Sequence, residues 1–260
     1  MITKRDIQNF LKSAQITKSD TVLIHTSMRS LGKVENGCDG VINAFTDYLS
    51  EGLLIVPTHS WDRVNKENPL FNAKTTGTCL GALPETALLR KDGVRSLHPT
   101  HSVKAFGKRA KEFVSGEERA TSPCFIGGVW NRLHEEDAKI LLIGVTLNKN
   151  TYIHAIDEML CFDYKLNPPF LVSIVGGEGN VYKVNYSNHG TTYAQFNDNF
   201  APALYYHGAL KKLTLGNAEV LLFNVRKGTE VIKNIYNTAG YDVLEKGEEI
   251  PEKFYIKESL

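Results

Sequence analysis

No apolar run in this chain approaches the roughly 18 consecutive residues that a membrane-spanning helix needs. The opening residues, MITKRDIQNFLKSA, contain no apolar stretch of the secretory-signal kind. The expectation is a cytoplasmic protein with no membrane partner. Cysteine is sparse: Cys38, Cys79, Cys124 and Cys161 lie far apart and form no CxxC pair, which argues against both a disulfide framework and a thiolate zinc site. An excess of charge of one sign is missing as well. The formal net charge is +1 and no Lys/Arg run exceeds two residues, which speaks against a nucleic-acid partner. Internal repeats, low-complexity tracts and obvious linkers are absent, so one domain spanning 1–260 is expected. The composition, 42% apolar and 23% charged, is that of an ordinary globular protein large enough for a real core.

Hydrophobic patterning supplies the fold. Thr3–Ala14 carries a helical stripe at Ile7, Phe10, Leu11 and Ala14. Short apolar runs at Thr21–His25, Leu53–Pro57 and Ile140–Val145 read as strands buried on both faces. Gly40–Leu49, Leu80–Arg90 and the segment from Tyr152 read as helices, whereas Val64–Cys79 reads as an irregular loop. After residue 163 the character changes. Phe170–Val175, Gly179–Val184 and Val220–Val225 are predicted strands, Phe200–Leu210 and Val231–Tyr236 predicted helices, and Asp242–Leu260 a loosely packed tail. Strands and helices alternate first and strands cluster later. This predicts an α/β fold, a three-layer α/β/α sandwich on a mixed, largely parallel sheet with antiparallel edge strands. Ligands in such sheets sit beyond the carboxyl ends of the strands. Three predicted strands end there in His25-Thr26-Ser27, in Thr58-His59-Ser60-Trp61-Asp62 and in the loop-helix Thr151–Glu158.

That last segment has the densest chemistry. Thr151 is placed to cap a helix on which His154, Asp157 and Glu158 stand at i, i+3 and i+4, a histidine with two carboxylates off one face. One reading is an oriented general base; the other is a helix with acidic residues in its early turns. Other stretches carry weaker signals. In Val94–Val103, VRSLHPTHSV, hydroxyls and backbone amides around Pro99 suit an anionic ligand or simple local satisfaction. His98 and His101 form a possible metal pair that lacks a third-ligand pattern. Arg29 suits a phosphate or carboxylate, Trp61 and Asp62 suit a hydroxylated or cationic ligand, and His189 in a polar turn offers a second imidazole.

Taken together, HTSMRSLGKVENG, EGLLIVPTHSW, GALPETALLRKDGVRSLHPTHSVKAFG and KILLIGVTLNKNTYIHAIDE, in this order, closely resemble the aminoglycoside 3-N-acetyltransferase family over roughly Ile7–Asp163, with weaker likeness through Phe200–Phe223. The resemblance implies a fold distinct from the GNAT acetyltransferases. It also implies acetyl-CoA as cosubstrate and an amino sugar or related amine as acceptor; the missing third-ligand pattern sets the expectation of no metal. By the same resemblance the CoA contacts fall on Ser27, Ser30, Ser102 and Val103, with Met28, Arg29, Leu31 and His101 beside them. The implied base is His154 and the acid is Asp157, an aspartate where the family has glutamate; Glu158 next to it leaves the orienting role open between the two. Thr151 joins the catalytic set, and His25, Trp61, Asp62 and His189 the acceptor side. Two other functions stand beside this one: a metal-dependent hydrolase built on His25, His59, His98, His101 and His154, and a non-catalytic CoA- or amine-binding homologue. The expected assembly is a monomer or homodimer.

Overall fold

The computed structural model describes residues 1–162, 165–190 and 193–256. Thr3 opens α1 (Lys4–Ser13) with a capping box: its hydroxyl accepts from the Asp6 N–H at 3.2 Å, and the Asp6 carboxylate accepts from the Thr3 N–H at 2.8 Å. β1 (Thr21–Thr26) leads into the short helix α2 (Met28–Leu31), then α3 (Gly37–Tyr48), β2 (Leu53–Pro57) and β3 (Leu70–Asn72). α4 (Ala82–Leu89), β4 (Gly93–Arg95), β5 (Val103–Phe106), α5 (Ala110–Phe113) and α6 (Val129–Glu135) precede β6 (Lys139–Ile143). α7 (Tyr152–Met159), β7 (Phe170–Val175), β8 (Val181–Tyr186) and α8 (Ala201–Tyr206) follow. The hairpin of β9 (Leu210–Leu215) and β10 (Ala218–Asn224) leads into α9 (Val225–Ala239).

The main sheet has seven strands in the order β4-β5-β2-β1-β6-β10-β9. β2, β1 and β6 are parallel and central, with antiparallel pairs on both flanks, so five of the seven strands run in one direction. Alternation along β1 divides the core. Val22 and Ile24 face a layer with α1, α3 and α4, where Phe10, Leu11, Ile42 and Phe45 are buried. Leu23 faces the opposite layer, in which Trp130, Tyr152, Ile153, Ile156 and Ile232 from α6, α7 and α9 are buried. This is the expected three-layer sandwich. A three-stranded sheet, β3-β7-β8, closes over a small core of Val64, Phe71, Val172, Ile174 and Tyr186.

Three local expectations are corrected. The helix placed over Phe200–Leu210 stops at Tyr206, where Gly208 turns left-handed (φ +63°), and Leu210 already belongs to β9, an edge strand whose two lysines face solvent. The loop placed over Val64–Cys79 contains β3, which pairs with β7. The tail from Asp242 is not loose, because Val243, Leu244 and Ile250 are buried in the core beside α9; its last four residues lie outside the described ones.

Candidate active site

β2, β1 and β6 end at one edge of the sheet, and antiparallel β5 begins there. Pairing continues past the strand ends: the Thr58 N–H donates to the Ser102 carbonyl at 2.7 Å and the Ser60 N–H to the Thr100 carbonyl at 2.8 Å. His59 and His101 are thereby brought side by side, with ring centroids 4.6 Å apart. A cavity of about 450 Å³ opens at this edge, lined in part by His25, His59, Trp61, Thr151, His154 and His189. Segments from all three strand ends thus meet at one cavity.

His154 sits on the first turn of α7. Its Nδ1 lies 3.6 Å from the Asp157 carboxylate. The other Asp157 oxygen accepts from the Lys165 ammonium at 2.9 Å, and the same ammonium reaches the Asp242 carboxylate at 3.0 Å. Lys165 is almost wholly buried, so a cation fixed between two carboxylates stands directly behind the histidine's partner. Glu158 turns elsewhere: its carboxylate accepts from the Cys124 N–H at 2.8 Å and from the Ser122 hydroxyl. Burial raises its pKa, which the Ser122 bond partly offsets. Of the two acids left open by the sequence, Asp157 is the one beside the imidazole. Thr151 makes no capping bond to α7; the Asn150 side-chain oxygen accepts from the Tyr152 N–H at 3.3 Å instead, and Thr151 remains on the cavity wall.

His189 arrives from the far side. The 165–167 and 188–190 segments pair, with the Gly190 N–H donating to the Lys165 carbonyl at 2.7 Å and the Asn167 N–H to the Asn188 carbonyl at 2.9 Å. This pairing sets the His189 ring 4.1 Å from that of His154 and 5.2 Å from that of His101. Burial lowers the pKa of His25 to about 4 and holds those of His59, His101 and His189 well below the usual histidine value, so these four rings are neutral at pH 7. Among the described residues, His25 Nε2, His59 Nε2 and Asn150 Nδ2 are buried and find no hydrogen-bond partner, and all three residues line the cavity. A buried polar atom left unpaired costs free energy, which a bound ligand recovers.

The remaining residues singled out by the sequence divide. Ser27 accepts from the Ser30 N–H at 3.3 Å and from the Ser30 hydroxyl at 2.9 Å, closing the turn between β1 and α2. Gly144 (φ +67°) packs onto this turn so tightly that a Cβ there would fall 2.3 Å from the Cβ of Ser30. Arg29 is exposed, Met28 packs against the first helical layer, and Leu31 is buried in it. Ser102 and Val103 are fully buried; the Ser102 hydroxyl donates to the Thr58 carbonyl at 2.8 Å and accepts from Arg95 at 3.2 Å, so neither side chain reaches the cavity. Asp62 is exposed beside Arg63, 3.6 Å away, and is not part of the cavity lining.

His98 is likewise committed internally. Its Nδ1 accepts from the His101 N–H at 2.9 Å and the Thr100 N–H at 3.2 Å, while Nε2 donates to the Ser122 carbonyl at 3.0 Å. Among the described residues no group of three or more His, Cys, Asp or Glu side chains is disposed to hold a metal ion. A further concavity, about 530 Å³, lies between α9 and residues 253–256; the histidine that lines it, His207, is bonded through Nε2 to the Tyr255 carbonyl at 2.8 Å. Sequence reasoning missed Lys165, His59 as a wall residue of the cavity, and Asn150. Lys165 carries no local signal, because its two carboxylate partners are eight and seventy-seven residues away.

Comparison with known proteins agrees with this architecture. The profile of the aminoglycoside 3-N-acetyltransferase family matches residues 23–237. The SPbeta prophage-derived aminoglycoside N(3')-acetyltransferase-like protein YokD of Bacillus subtilis is 27% identical over 194 residues, 64% of this chain and 68% of the relative. Aminoglycoside N(3)-acetyltransferase III of Serratia marcescens is 25% identical over 198 residues, 70% of this chain and 73% of the relative. The crystal structure of aminoglycoside acetyltransferase AAC(3)-IVa superposes with a TM-score of 0.77 at 23% identity, covering 98% of this chain and 96% of that one. Other solved relatives of the same fold include AAC-IIIb in a binary complex with CoASH (TM-score 0.72, 17% identity, 88% and 94% coverage) and a histidine-to-alanine mutant of AAC(3)-IVa in complex with a gentamicin (TM-score 0.78, 23% identity, 96% and 95% coverage). With a profile match over most of its length, the chain belongs to the aminoglycoside 3-N-acetyltransferase family and is an acyltransferase.

Proposed function

We propose that the protein transfers an acetyl group from acetyl-CoA directly to a primary amine of an amino sugar or aminoglycoside, with His154 as general base. The observation that carries this reading is the cavity-lining His154 with Nδ1 directed at Asp157, itself fixed by buried Lys165. An ammonium has no lone pair, so it cannot attack a thioester until a base removes a proton. Nδ1 faces the carboxylate, which leaves Nε2 to accept that proton. Asp157 then stabilises the imidazolium and holds its tautomer. The 3.6 Å separation is loose for a hydrogen bond, and such contacts commonly tighten in the ternary complex.

As the deprotonated amine nitrogen bonds to the thioester carbonyl carbon, the C–S bond breaks and CoA leaves as thiolate; of the two protons the ammonium loses on its way to the amide, one passes through His154 to the thiolate and the other to solvent. The relatives' complexes with CoASH and gentamicin support these two substrate classes. Direct transfer is favoured over a cysteine acyl-enzyme. Cys124 is buried and its thiol is pushed well up by that burial, and burial with nearby Asp62 pushes Cys79 up as well, the opposite of an activated thiolate. A metal-dependent hydrolase has less support, since His98 has both ring nitrogens bonded to backbone.

Initial-rate kinetics test the proposal. With acetyl-CoA and an amino sugar both varied, CoA-thiol release should give intersecting double-reciprocal lines, as a ternary complex requires. Parallel lines, with a mass increase of one acetyl group on the protein, would contradict it.

A further inference from the structure

The wall around His154 carries little negative charge to offer a ligand. Among the described residues that line the cavity there is no aspartate or glutamate. Three described carboxylates nearby do not face a ligand: Asp157 is bonded to Lys165, Glu158 to Ser122 and Cys124, and Asp62 lies outside the lining next to Arg63. Four of the lining imidazoles are neutral because they are buried. Among the described lining residues the one lysine or arginine is Lys149, whose ammonium is exposed.

A ligand with a single ammonium finds a base for it. Each additional ammonium would leave water for a wall on which the described residues place no carboxylate and Lys149 stands at the rim, which selects against it. Other lining groups suit hydroxyls. Asn148, Asn150 and Asn188 present amides, one of them, Asn150, with an unpartnered Nδ2, and Trp61, about half exposed, offers a flat apolar face for a sugar ring. The volume, about 450 Å³, lies toward the low end of the roughly 300–1,000 Å³ of pockets that hold drug-sized ligands, and the thioester end of the donor must share it.

We infer that the native acceptor is a small, hydroxyl-rich monoamine of the hexosamine class, with a neutral or anionic remainder, in preference to a polycationic aminoglycoside. This inference rests on the acetyl-transfer reading above. The test compares kcat/KM for glucosamine, glucosamine 6-phosphate and gentamicin with acetyl-CoA, in the wild type, Lys149→Glu and His154→Ala. At least one of the two monoamines should exceed gentamicin by about tenfold or more, the effect of roughly one unfavourable charge placement. Lys149→Glu should narrow that ratio, chiefly by lowering KM for gentamicin. Gentamicin used as well as or better than both monoamines by the wild type, with turnover abolished in His154→Ala, would overturn this inference and leave the acetyl-transfer reading standing. A ratio unmoved by Lys149→Glu would overturn the electrostatic argument. No CoA release with any of the three amines would overturn both.

Discussion

Replacing Lys165 by methionine removes a cation from between two carboxylates while nearly preserving side-chain length. In the native protein Nζ lies 2.9 Å from the Asp157 carboxylate and 3.0 Å from that of Asp242, and all three side chains are largely buried. Breaking a buried pair leaves an uncompensated charge and costs about 3–5 kcal/mol. One ammonium here neutralises two acids, so the upper half of that range applies. For a chain of this size, at roughly 2–4 °C per kcal/mol, the loss corresponds to a Tm lowered by roughly 8–20 °C. Adding Asp242→Asn removes one of the two repelling carboxylates and should restore part of the loss, a coupling on the order of 0.5–3 kcal/mol in a double-mutant cycle. Differential scanning calorimetry of the four proteins supplies the cycle. Kinetics give an independent readout: kcat should fall with KM for acetyl-CoA nearly unchanged, because Asp157 has lost the contact that fixes it behind His154. A Lys165→Met protein within about 1 kcal/mol of wild type, with unaltered kcat, would refute the reasoning.

Two further outcomes follow from the same structure. His98 is fully buried and its pKa is lowered from 6.5 to about 4. Its unfolded form therefore takes up a proton first as the pH drops, so its contribution is present above about pH 6.5 and is lost as the pH falls toward 4; at 1.36 kcal/mol per pKa unit this is roughly 3 kcal/mol. His25, His59, His101 and His189 shift in the same direction, while buried Glu117, pushed up to about 7, opposes them. Urea midpoints should decline steadily from pH 7 to pH 4.5; a flat profile would contradict the neutral-imidazole assignment. Asp157→Asn should lower kcat by about tenfold or more, whereas Glu158→Gln, whose amide oxygen can still accept from the Cys124 N–H, should cost much less, and steady-state assays showing the reverse order would assign the orienting role to Glu158.

Much of this site was legible because parallel strands buried on both faces announce themselves as apolar runs. Thr21–His25, Leu53–Pro57 and Ile140–Val145 could be read directly, and the residues after them had to meet at one edge of the sheet. The hidden parts depend on distant pairing. Lys165 and Asp242 meet only because the 165–190 segment folds back over α7 and the tail packs beside α9, and neither event leaves a local pattern. Helical spacing set Asp157 and Glu158 on one side of α7, yet Glu158 is drawn to Ser122 and Cys124, in a loop more than thirty residues away. The apolar content of Phe200–Leu210 mimicked one helix, when Gly208 divides it between α8 and β9. Ser102 and Val103 belong to a motif whose hydroxyls are satisfied internally, a distinction that only packing reveals.

The central claim is that His154 removes the proton that keeps the acceptor from attacking. Its most direct measurement is the pH dependence of kcat for His154→Ala against wild type, by CoA-thiol release with a saturating amino sugar. General-base catalysis of this kind contributes about 10²–10⁴-fold, so His154→Ala should be slower by that factor at pH 7. Its rate should then climb with pH as the acceptor itself becomes the free amine, closing much of the gap at alkaline pH. A His154→Ala enzyme within about threefold of wild type at pH 7, or one whose deficit is the same at every pH, would contradict the assignment.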